Sequence, residues 1–326
     1  GEAFKVITKK KPDRYLNRPY VIRMIRCQDV LIRDVTMQNS AMWMQHYLAC
    51  EGVTISGIKV YNHCNQNNDM IDIDGCRNVI ISDCFGDTDD DALTFKSTSP
   101  AACENITVTN CVLSSHCNAI KFGTESIGGF RNITISNCVI KPSHDTIPIF
   151  GFAGGISGIS LEIVDGGCMD GITLNNISMD GPEVPLFIRL GNRARKYIPE
   201  APLPGVGSLS NVCISNIIAR NTGKTGCSIT GIPGHPIRNI QLSNLMLEFS
   251  GGVKTPVNPS DIPEMEDHYP ECTMFGELPA YAIYIRHAEN ISISNSRVWC
   301  VEKDARPPFY SEDVMGLDLR GWKATK

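Results

Sequence analysis

The chain has 326 residues and a formal net charge of −5, and its basic residues are scattered apart from Lys9–Lys11. This charge pattern argues against nucleic acid as a partner. No apolar run approaches the ~18 residues that span a bilayer, so we expect no membrane partner. Residues 1–12 lack the apolar core of a signal peptide. Because a cleaved signal leaves no trace, we expect the mature chain of a secreted or periplasmic protein.

One short phrase recurs along the chain: an apolar residue, any residue, then a second apolar residue, usually preceded by Asn, Asp or Gly. Its first apolar positions are 30, 53, 79, 106, 133, 172, 212, 240 and 291. Alternation at period two, rich in Val and Ile, is typical of half-buried strands. A repeat of 20 to 50 residues indicates a solenoid whose coils stack ~4.8 Å apart. We therefore predict one all-β solenoid domain over residues 1–326.

Three segments rich in Gly and Pro interrupt this rhythm, at 141–158, 191–208 and 251–280. We predict that they are loops projecting from the solenoid, where binding residues often lie. Four glycosylation-type sequons fall inside the repeated phrase, at Asn105, Asn132, Asn176 and Asn290. Because equal positions of stacked coils are neighbours, we expect these asparagines to form side-chain ladders rather than to carry glycans.

The 14 cysteines allow two interpretations, a disulfide framework or buried thiols that act as small apolar core residues. Their positions favour buried thiols, because seven of the 14 either precede a repeat unit or follow its two apolar positions. Examples are Cys50 and Cys76 before a unit, and Cys84 and Cys111 after one. No C-x-x-C pair exists, so a cysteine-based metal site is not expected.

Two acidic segments, 67–75 and 87–96, lie one coil apart. Aligning Ile71 with Leu93 gives an offset of 22 residues, which puts Asp69 beside Asp90 and Asp91. Like charges within ~5 Å cost ~1–3 kcal/mol, so at least one proton should remain near neutral pH. Glycoside hydrolysis needs this combination of a carboxylic acid and a carboxylate. A calcium site and a solvated acidic turn are the alternatives.

Several motifs, densest between residues 18 and 126, resemble those of glycoside hydrolase family 28, the polygalacturonase and rhamnogalacturonase family. Asn67-Asn68-Asp69 resembles the family's Asn-Thr-Asp motif, and Asp90-Asp91 resembles its Asp-Asp pair. The resemblance implies a right-handed parallel β-helix that cleaves a pectin-like polysaccharide with inversion and needs neither cofactor nor metal. It also implies that Asp90 is the general acid and that Asp69 and Asp91 activate the water.

The counterpart of the family's Gly-His-Gly motif is Ser115-His116-Cys117 or the nearby stretch Asn118–Glu125. His116 is therefore a further catalytic candidate or an ordinary loop histidine. The family's Arg-Ile-Lys motif corresponds to Arg189-Leu190-Gly191, so its lysine is absent. Lys121, Arg193 or Arg195 can replace it, since arginine binds carboxylates through paired hydrogen bonds. The alternative is that Arg193 and Arg195 are loop charges that pair with local acids. The predicted substrate-binding residues are Asn67, Lys121, Glu125, Arg189, Arg193 and Arg195.

Two other functions remain open from the sequence. A β-helical polysaccharide lyase would use the acidic run for calcium and a lysine or an arginine as its base. A non-catalytic carbohydrate-binding β-helix would bind glycans without turnover. Members of the family usually carry further N-terminal coils, so we expect that the chain begins late or is a fragment. The oligomeric state is not predicted.

Overall fold

The computed structural model describes residues 18–325, so the predicted basic cluster Lys9–Lys11 lies outside the described residues. The described residues form a right-handed parallel β-helix, which confirms the predicted fold class. The strands are β1 (Ile22–Ile25), β2 (Gln28–Arg33), β3 (Thr36–Gln38), β4 (Gln45–Leu48), β5 (Glu51–Ser56), β6 (Lys59–Asn62), β7 (Ile71–Asp74), β8 (Arg77–Ser82), β9 (Phe85–Thr88), β10 (Leu93–Ser97), β11 (Cys103–Thr109), β12 (Val112–Ser115), β13 (Asn118–Ser126), β14 (Phe130–Ile140), β15 (Ser157–Ile163), β16 (Cys168–Asp180), β17 (Val184–Leu190), β18 (Ser208–Thr222), β19 (Cys227–Thr230), β20 (Ile237–Gly251), β21 (Ile283–Ser294), β22 (Arg297–Glu302), β23 (Phe309–Arg320) and β24 (Lys323–Thr325). A short 3-10 helix spans Pro259–Asp261.

Each strand pairs in parallel with the strand one coil further along, and these pairings define three faces. Face A stacks β1, β4, β7, β10, β13, β15, β17, β19, β21 and β23. Face B begins with β2, β5, β8 and β11, and face C begins with β3, β6, β9 and β12. In β14, β16, β18 and β20, one long strand turns the corner from face B to face C. In the last coils, β21 and β23 instead run from face A into face B, and β22 and β24 continue face C. Within residues 18–325, no helix has the length and apolarity needed to cross a membrane.

The repeated phrase forms one continuous apolar column inside face B. Every predicted position pairs with its counterpart on the next coil, in the order Val30, Val53, Val79, Ile106, Ile133, Ile172, Val212, Ile240 and Ile291. All of these side chains are buried. Aromatic rings fill the interior behind face A, where Phe122 lies 4.6 Å from Phe95 and 5.4 Å from Phe130 between ring centroids. The predicted solenoid register is therefore confirmed.

Asn105, Asn132 and Asn290 form the predicted ladder at the corner that precedes this column, whereas Asn176 bonds to Asn137 in a second ladder at the next corner. Asn132 Nδ2 donates to Asn105 Oδ1 at 2.8 Å, and Asn290 Nδ2 donates to Asn239 Oδ1 at 2.7 Å. Asn132 has a φ of 52°, in the left-handed region that asparagine and glycine tolerate best. Gly171 takes the corresponding place on the next coil with a φ of 70°. Residues at this corner must therefore adopt a positive φ as well as form the ladder hydrogen bonds.

The interruptions of the repeat are loops between successive strands, as expected. They occupy residues 141–156, 191–207 and 252–282. All 14 cysteines carry free thiols, nine of them buried and five half-buried, which agrees with the interpretation as apolar core residues. Face A differs from the other faces because strands such as β10 and β17 are buried on both sides.

Substitution of Asn132 tests the corner conformation. We expect Asn132→Ala to lower the free energy of unfolding by ~1 kcal/mol, since an alanine in the left-handed region costs ~1–2 kcal/mol. Asn132→Gly should stay within ~0.5 kcal/mol of the wild type, because glycine adopts this φ without strain. Urea denaturation measures both changes. An equal loss in the two variants would assign the effect to the ladder hydrogen bond instead of the backbone.

Candidate active site

The three predicted acids lie where the chain enters face A on adjacent coils. Asp69 stands just before β7, and Asp90 and Asp91 stand just before β10. Ile71 pairs with Leu93, so the predicted offset of 22 residues between the two coils is confirmed. The backbone N–H of Met70 donates to the Asp91 carbonyl at 3.0 Å, which brings the three acids together at one edge of the face.

Asp91 is a buried carboxylate whose oxygens are held by donors. Asn118 donates to Oδ1 from its backbone N–H at 3.1 Å and from Nδ2 at 2.8 Å. The Lys121 ammonium lies 3.2 Å from the other oxygen, Oδ2. Burial opposes the charge on Lys121, but the negative charge of Asp91 raises the pKa of Lys121 well above its ordinary range. Lys121 therefore stays protonated and forms a buried ion pair with Asp91.

Asp69 and Asp90 have environments that favour the protonated form. Burial, and then the negative charge of Asp91, raise the pKa of Asp90 to about 6. Burial, and then the charges of Asp72 and Asp90, raise the pKa of Asp69 well above its ordinary range. Asp69 Oδ1 is buried and accepts no hydrogen bond from the described residues. The cluster thus combines two carboxyl groups of raised pKa, Asp69 and Asp90, with Asp91, whose oxygens are bound by Asn118 and Lys121.

A buried aspartate and a lysine extend the cluster along face A. The Lys96 ammonium lies 3.4 Å from Asp72, 3.9 Å from Glu125 and 4.0 Å from Asp69. It also lies 4.7 Å from the centre of the Trp43 ring. Burial raises the pKa of Asp72 to about 8, although the Lys96 charge opposes this shift. Lys96 therefore offsets part of the repulsion among the acids, and the Trp43 ring packs against its ammonium.

The acids Asp90 and Asp91 open onto a cavity of about 260 Å³. Its lining residues are Gln66, Asn67, Asp90, Asp91, Cys117, Asn118, Lys121, Phe150, Tyr269 and Glu271. Asn67 Nδ2 donates to Asp90 at 3.5 Å, so the predicted Asn67 and Lys121 both reach the site. Phe150 comes from loop 141–156, and Tyr269 and Glu271 come from loop 252–282. Two projecting loops therefore wall the cavity.

The other predicted binding residues pair with protein groups beside the cavity. Arg193 forms an ion pair with Asp165 through two hydrogen bonds, while Arg195 donates to Glu125 at 2.8 Å. Burial opposes ionisation of Glu125, but Lys96 and then Arg193 lower its pKa. The Arg195 side chain is 56% exposed, so it keeps donors available for a ligand. Arg193 instead fits the alternative interpretation as loop charge paired with a local acid.

Arg189 does not reach the cavity, in contrast to the prediction that it binds substrate. It is fully buried, and its guanidinium donates to Thr230 Oγ1 and to the carbonyl oxygens of Gly231, Glu264 and Met265. These bonds hold loop 252–282 against β17 and β19. The side chain is therefore used for anchoring the loop that carries Tyr269.

His116 is fully buried and does not line the cavity, so the structure does not support contact with substrate. Its Nδ1 lies 2.9 Å from Asp89 Oδ1, and its Nε2 donates to the Asp145 carbonyl at 2.8 Å. Burial lowers the pKa of His116, but its bonds to Asp89 and Asp145 outweigh burial and raise it. Asp87 accepts from Ser143 Oγ at 2.6 Å. Asp87 and Asp89 thus bond to residues that do not line the cavity, whereas Asp90 and Asp91 line it.

Sequence reasoning missed Asp72, Lys96, Tyr269 and Glu271. Asp72 and Lys96 alternate with the inward residues of β7 and β10, so their outward direction was readable from the period of two. Tyr269 and Glu271 lie in a loop far along the chain, and no local pattern in the sequence indicates which strand that loop covers. Lys121 Nζ lies 3.3 Å from the Tyr269 hydroxyl, a contact between residues 148 positions apart.

Comparisons with known proteins agree with the motifs. The family model described as Glycosyl hydrolases family 28 matches residues 1–264. The chain is 33% identical to a probable polygalacturonase of Vitis vinifera over 81 residues, which are 24% of this chain and 16% of that protein.

Solved structures show the same fold. The exopolygalacturonase of Thermotoga maritima aligns with a TM-score of 0.58 and 23% identity, covering 71% of this chain and 50% of that one. The family 28 exopolygalacturonase of Yersinia enterocolitica aligns with a TM-score of 0.63 and 14% identity, covering 92% of this chain and 47% of that one. The chain therefore spans about half the length of these two structures.

The raised pKa of Asp90 predicts how the acid affects stability. Between the ordinary pKa of 3.8 and the folded value of about 6, the folded state binds the proton more tightly than the unfolded state. The free energy of unfolding should therefore fall as pH rises through this window. Asp90→Asn should remove this loss and stabilise the protein at pH 7 by ~1–3 kcal/mol. Urea denaturation at pH 4 and pH 7 measures the change, and an equal effect at both pH values would contradict the prediction.

Proposed function

The chain belongs to glycosyl hydrolases family 28, and we propose that it hydrolyses glycosidic bonds in a pectin-like polysaccharide, polygalacturonan or rhamnogalacturonan. This proposal rests on two neighbouring carboxyl groups that line one cavity and have different surroundings. Asp90 has a pKa of about 6, while the neighbouring Asp91 is bonded to Lys121 and Asn118. A protonated acid beside a carboxylate is what cleavage of a glycosidic bond requires.

Asp90 is the general acid in this mechanism. It faces the cavity and receives a hydrogen bond from Asn67, which orients its carboxyl group. Burial and the charge of Asp91 keep its proton in place at mildly acidic pH. The proton passes from Asp90 to the glycosidic oxygen as the bond to the anomeric carbon breaks. The leaving sugar then departs as a neutral alcohol.

Asp91 is the general base, with Asp69 beside it. Lys121 and Asn118 stabilise the Asp91 carboxylate, so it can accept the proton of a water molecule that attacks the anomeric carbon. Burial and the charges of Asp72 and Asp90 raise the pKa of Asp69, and we assign Asp69 a part in activating this water because the family resemblance implies it. Attack from the face opposite the leaving group inverts the anomeric configuration, as the family resemblance implies.

The proposed substrate is a pectin-like polymer because a relative of this chain is described as a polygalacturonase. The lysine of the family's Arg-Ile-Lys motif is replaced by Gly191, and the Lys121 ammonium is engaged by Asp91. Arg195 is the cation near the site with the most exposed side chain, at 56%, and it can bind a sugar carboxylate through paired hydrogen bonds. A polymeric substrate lies outside cells, so we propose that the protein acts in secreted or periplasmic form.

A screen of substrates tests the reaction class. The protein is incubated with homogalacturonan, rhamnogalacturonan and neutral or sulfated glycans, and the products are followed by NMR and by ultraviolet absorbance. Hydrolysis gives new reducing ends of inverted configuration without absorbance. A lyase would instead create a double bond that absorbs, and a purely binding protein would give no product with any glycan. Either result would overturn the proposal.

Removal of the proposed acid should abolish most of the activity. We expect Asp90→Asn to lower kcat by ~10³-fold on the best substrate, because the amide cannot protonate the leaving oxygen. Asp83→Asn is the matched control, since Asp83 lies on the same coil but is exposed and bonded to Asn110. It should retain wild-type kcat. Near-wild-type activity in Asp90→Asn would remove Asp90 from the mechanism.

The pH profile provides a separate test. Because Asp90 must be protonated and has a pKa of about 6, we expect kcat/KM to fall as pH rises above about 6. The loss should approach tenfold for each further pH unit, as expected for a single essential proton. Initial rates between pH 4 and pH 8 measure the profile. A rate that stays constant between pH 6 and pH 8 would contradict the assignment of Asp90 as the acid.

A further inference from the structure

A second cluster of titratable side chains lies beside the proposed active site but outside its cavity. It consists of His63, Asp89 and His116, and one ligand-capable atom of each lies within 4.8 Å of the others. The three side chains are 3%, 1% and 0% exposed, respectively. They come from adjacent coils, because Asp89 follows β9, His63 follows β6 and His116 follows β12. The cluster is therefore rigidly placed by the same stacking that positions the acids.

Two buried polar atoms of this cluster have no hydrogen-bond partner among the described residues. His63 Nε2 bonds to Asp87 Oδ1 at 2.9 Å, while His63 Nδ1 is buried and has no hydrogen-bond partner within residues 18–325. Asp89 Oδ1 is bonded to His116, but Asp89 Oδ2 is buried and also lacks a partner there. An unpaired nitrogen and an unpaired carboxylate oxygen, both buried, are costly unless something binds them.

The outer contacts of both histidines match those of metal-binding imidazoles. His116 donates from Nε2 to the Asp145 carbonyl at 2.8 Å. His63 bonds through Nε2 to Asp87, which is itself held by Ser143. A histidine that binds a metal typically donates its second N–H to a carbonyl or carboxylate, which fixes the ring and leaves the other nitrogen for the ion. Here both rings have such an outer partner.

We propose that His63, Asp89 and His116 bind one divalent transition-metal ion of the Zn²⁺ class, through one ring nitrogen of each histidine and a carboxylate oxygen. Two imidazoles and one carboxylate are a common ligand set for zinc, whereas calcium and magnesium prefer oxygen ligands alone. Bonds of ~2.1 Å separate tetrahedral ligands by ~3.4 Å, so side chains now within 4.8 Å close by at most ~1.4 Å.

The ion would connect loop 141–156 to the turn that ends in Asp90. Asp145 and Ile149 of this loop already bond to His116 and Asp89, and Phe150 of the same loop lines the cavity. Binding displaces the proton that His116 Nδ1 otherwise shares with Asp89, so one proton is released when the ion enters. The site does not depend on the proposed glycosidase activity, and its failure would leave that activity untouched.

Metal binding by the untagged full chain tests the proposal. After chelation and buffer exchange, titration with Zn²⁺ in a calorimeter should give one site per chain, and the melting temperature should rise by a few degrees. Ca²⁺ and Mg²⁺ should produce neither effect at the same concentrations. His63→Gln and Asp89→Asn should each weaken Zn²⁺ binding by at least tenfold.

His46→Gln is the matched control. His46 is also buried, bonds to Asp74 through Nε2 at 3.1 Å and has a buried Nδ1 without a partner in residues 18–325, yet it belongs to no such ligand cluster. It should bind Zn²⁺ like the wild type. The proposal would be overturned if His63→Gln bound Zn²⁺ as tightly as the wild type. It would also be overturned if the wild type bound no Zn²⁺ at a concentration of ~10⁻⁴ M.

A measurement on the wild type alone covers the case in which the variants fail to fold. X-ray absorption of the Zn²⁺-loaded protein should show two imidazole nitrogens and one carboxylate oxygen at ~2.0–2.2 Å. A sulfur ligand at ~2.3 Å would instead place the ion at Asp90, Asp91 and Cys117, the other ligand-capable group in the described chain. That result would reject the site proposed here.

Discussion

The in-register hydrogen bonding of each coil to the next is the constraint on which the rest of the structure depends. It fixes neighbouring strands ~4.8 Å apart, so equal positions of successive coils must be neighbours whatever their side chains are. At inward positions this produces the column from Val53 to Ile291, and at the corner it produces the asparagine ladder. On face A the same register brings together Asp69 and Asp91, which would repel one another if both were ionised.

Two buried lysines, and not exposure to water, offset the electrostatic repulsion among these acids. Lys96 lies among Asp69, Asp72 and Glu125, while Lys121 bonds to Asp91. Buried charges are costly, and they persist when each has a partner in good geometry. The unequal distribution of these lysines gives the acids different environments, because Lys121 forms an ion pair with Asp91 while burial and the charge of Asp91 raise the pKa of Asp90 to about 6. The edge of face A therefore carries the proposed acid, Asp90, directly beside the proposed base, Asp91.

Loops complete the site, and arginines that resemble binding residues hold them in place. Arg189 donates to the carbonyls of Glu264 and Met265, and Arg286 does the same for Ile262 and Pro263. Both side chains are buried, so their hydrogen bonds are shielded from water and fix loop 252–282 on face A. This loop carries Tyr269 onto Lys121. An arginine at a family motif can therefore shape the cleft without contacting a sugar.

The sequence by itself determined the solenoid, its coil register and the meeting of Asp69, Asp90 and Asp91, because all three follow from a repeat whose spacing is local. The outward direction of Asp72 and Lys96 was also encoded in the strand period, although it was not recognised. Only the tertiary structure decided the roles of Arg189 and His116, because Arg189 bonds to the distant loop 252–282 and His116 bonds to Asp89 and to the irregular loop 141–156. It also decided that Tyr269 closes the cavity, since loop paths depend on long-range contacts that no repeat specifies. The periodicity of the sequence determines where each strand residue lies on its coil, whereas only the folded chain determines which loops cover those residues.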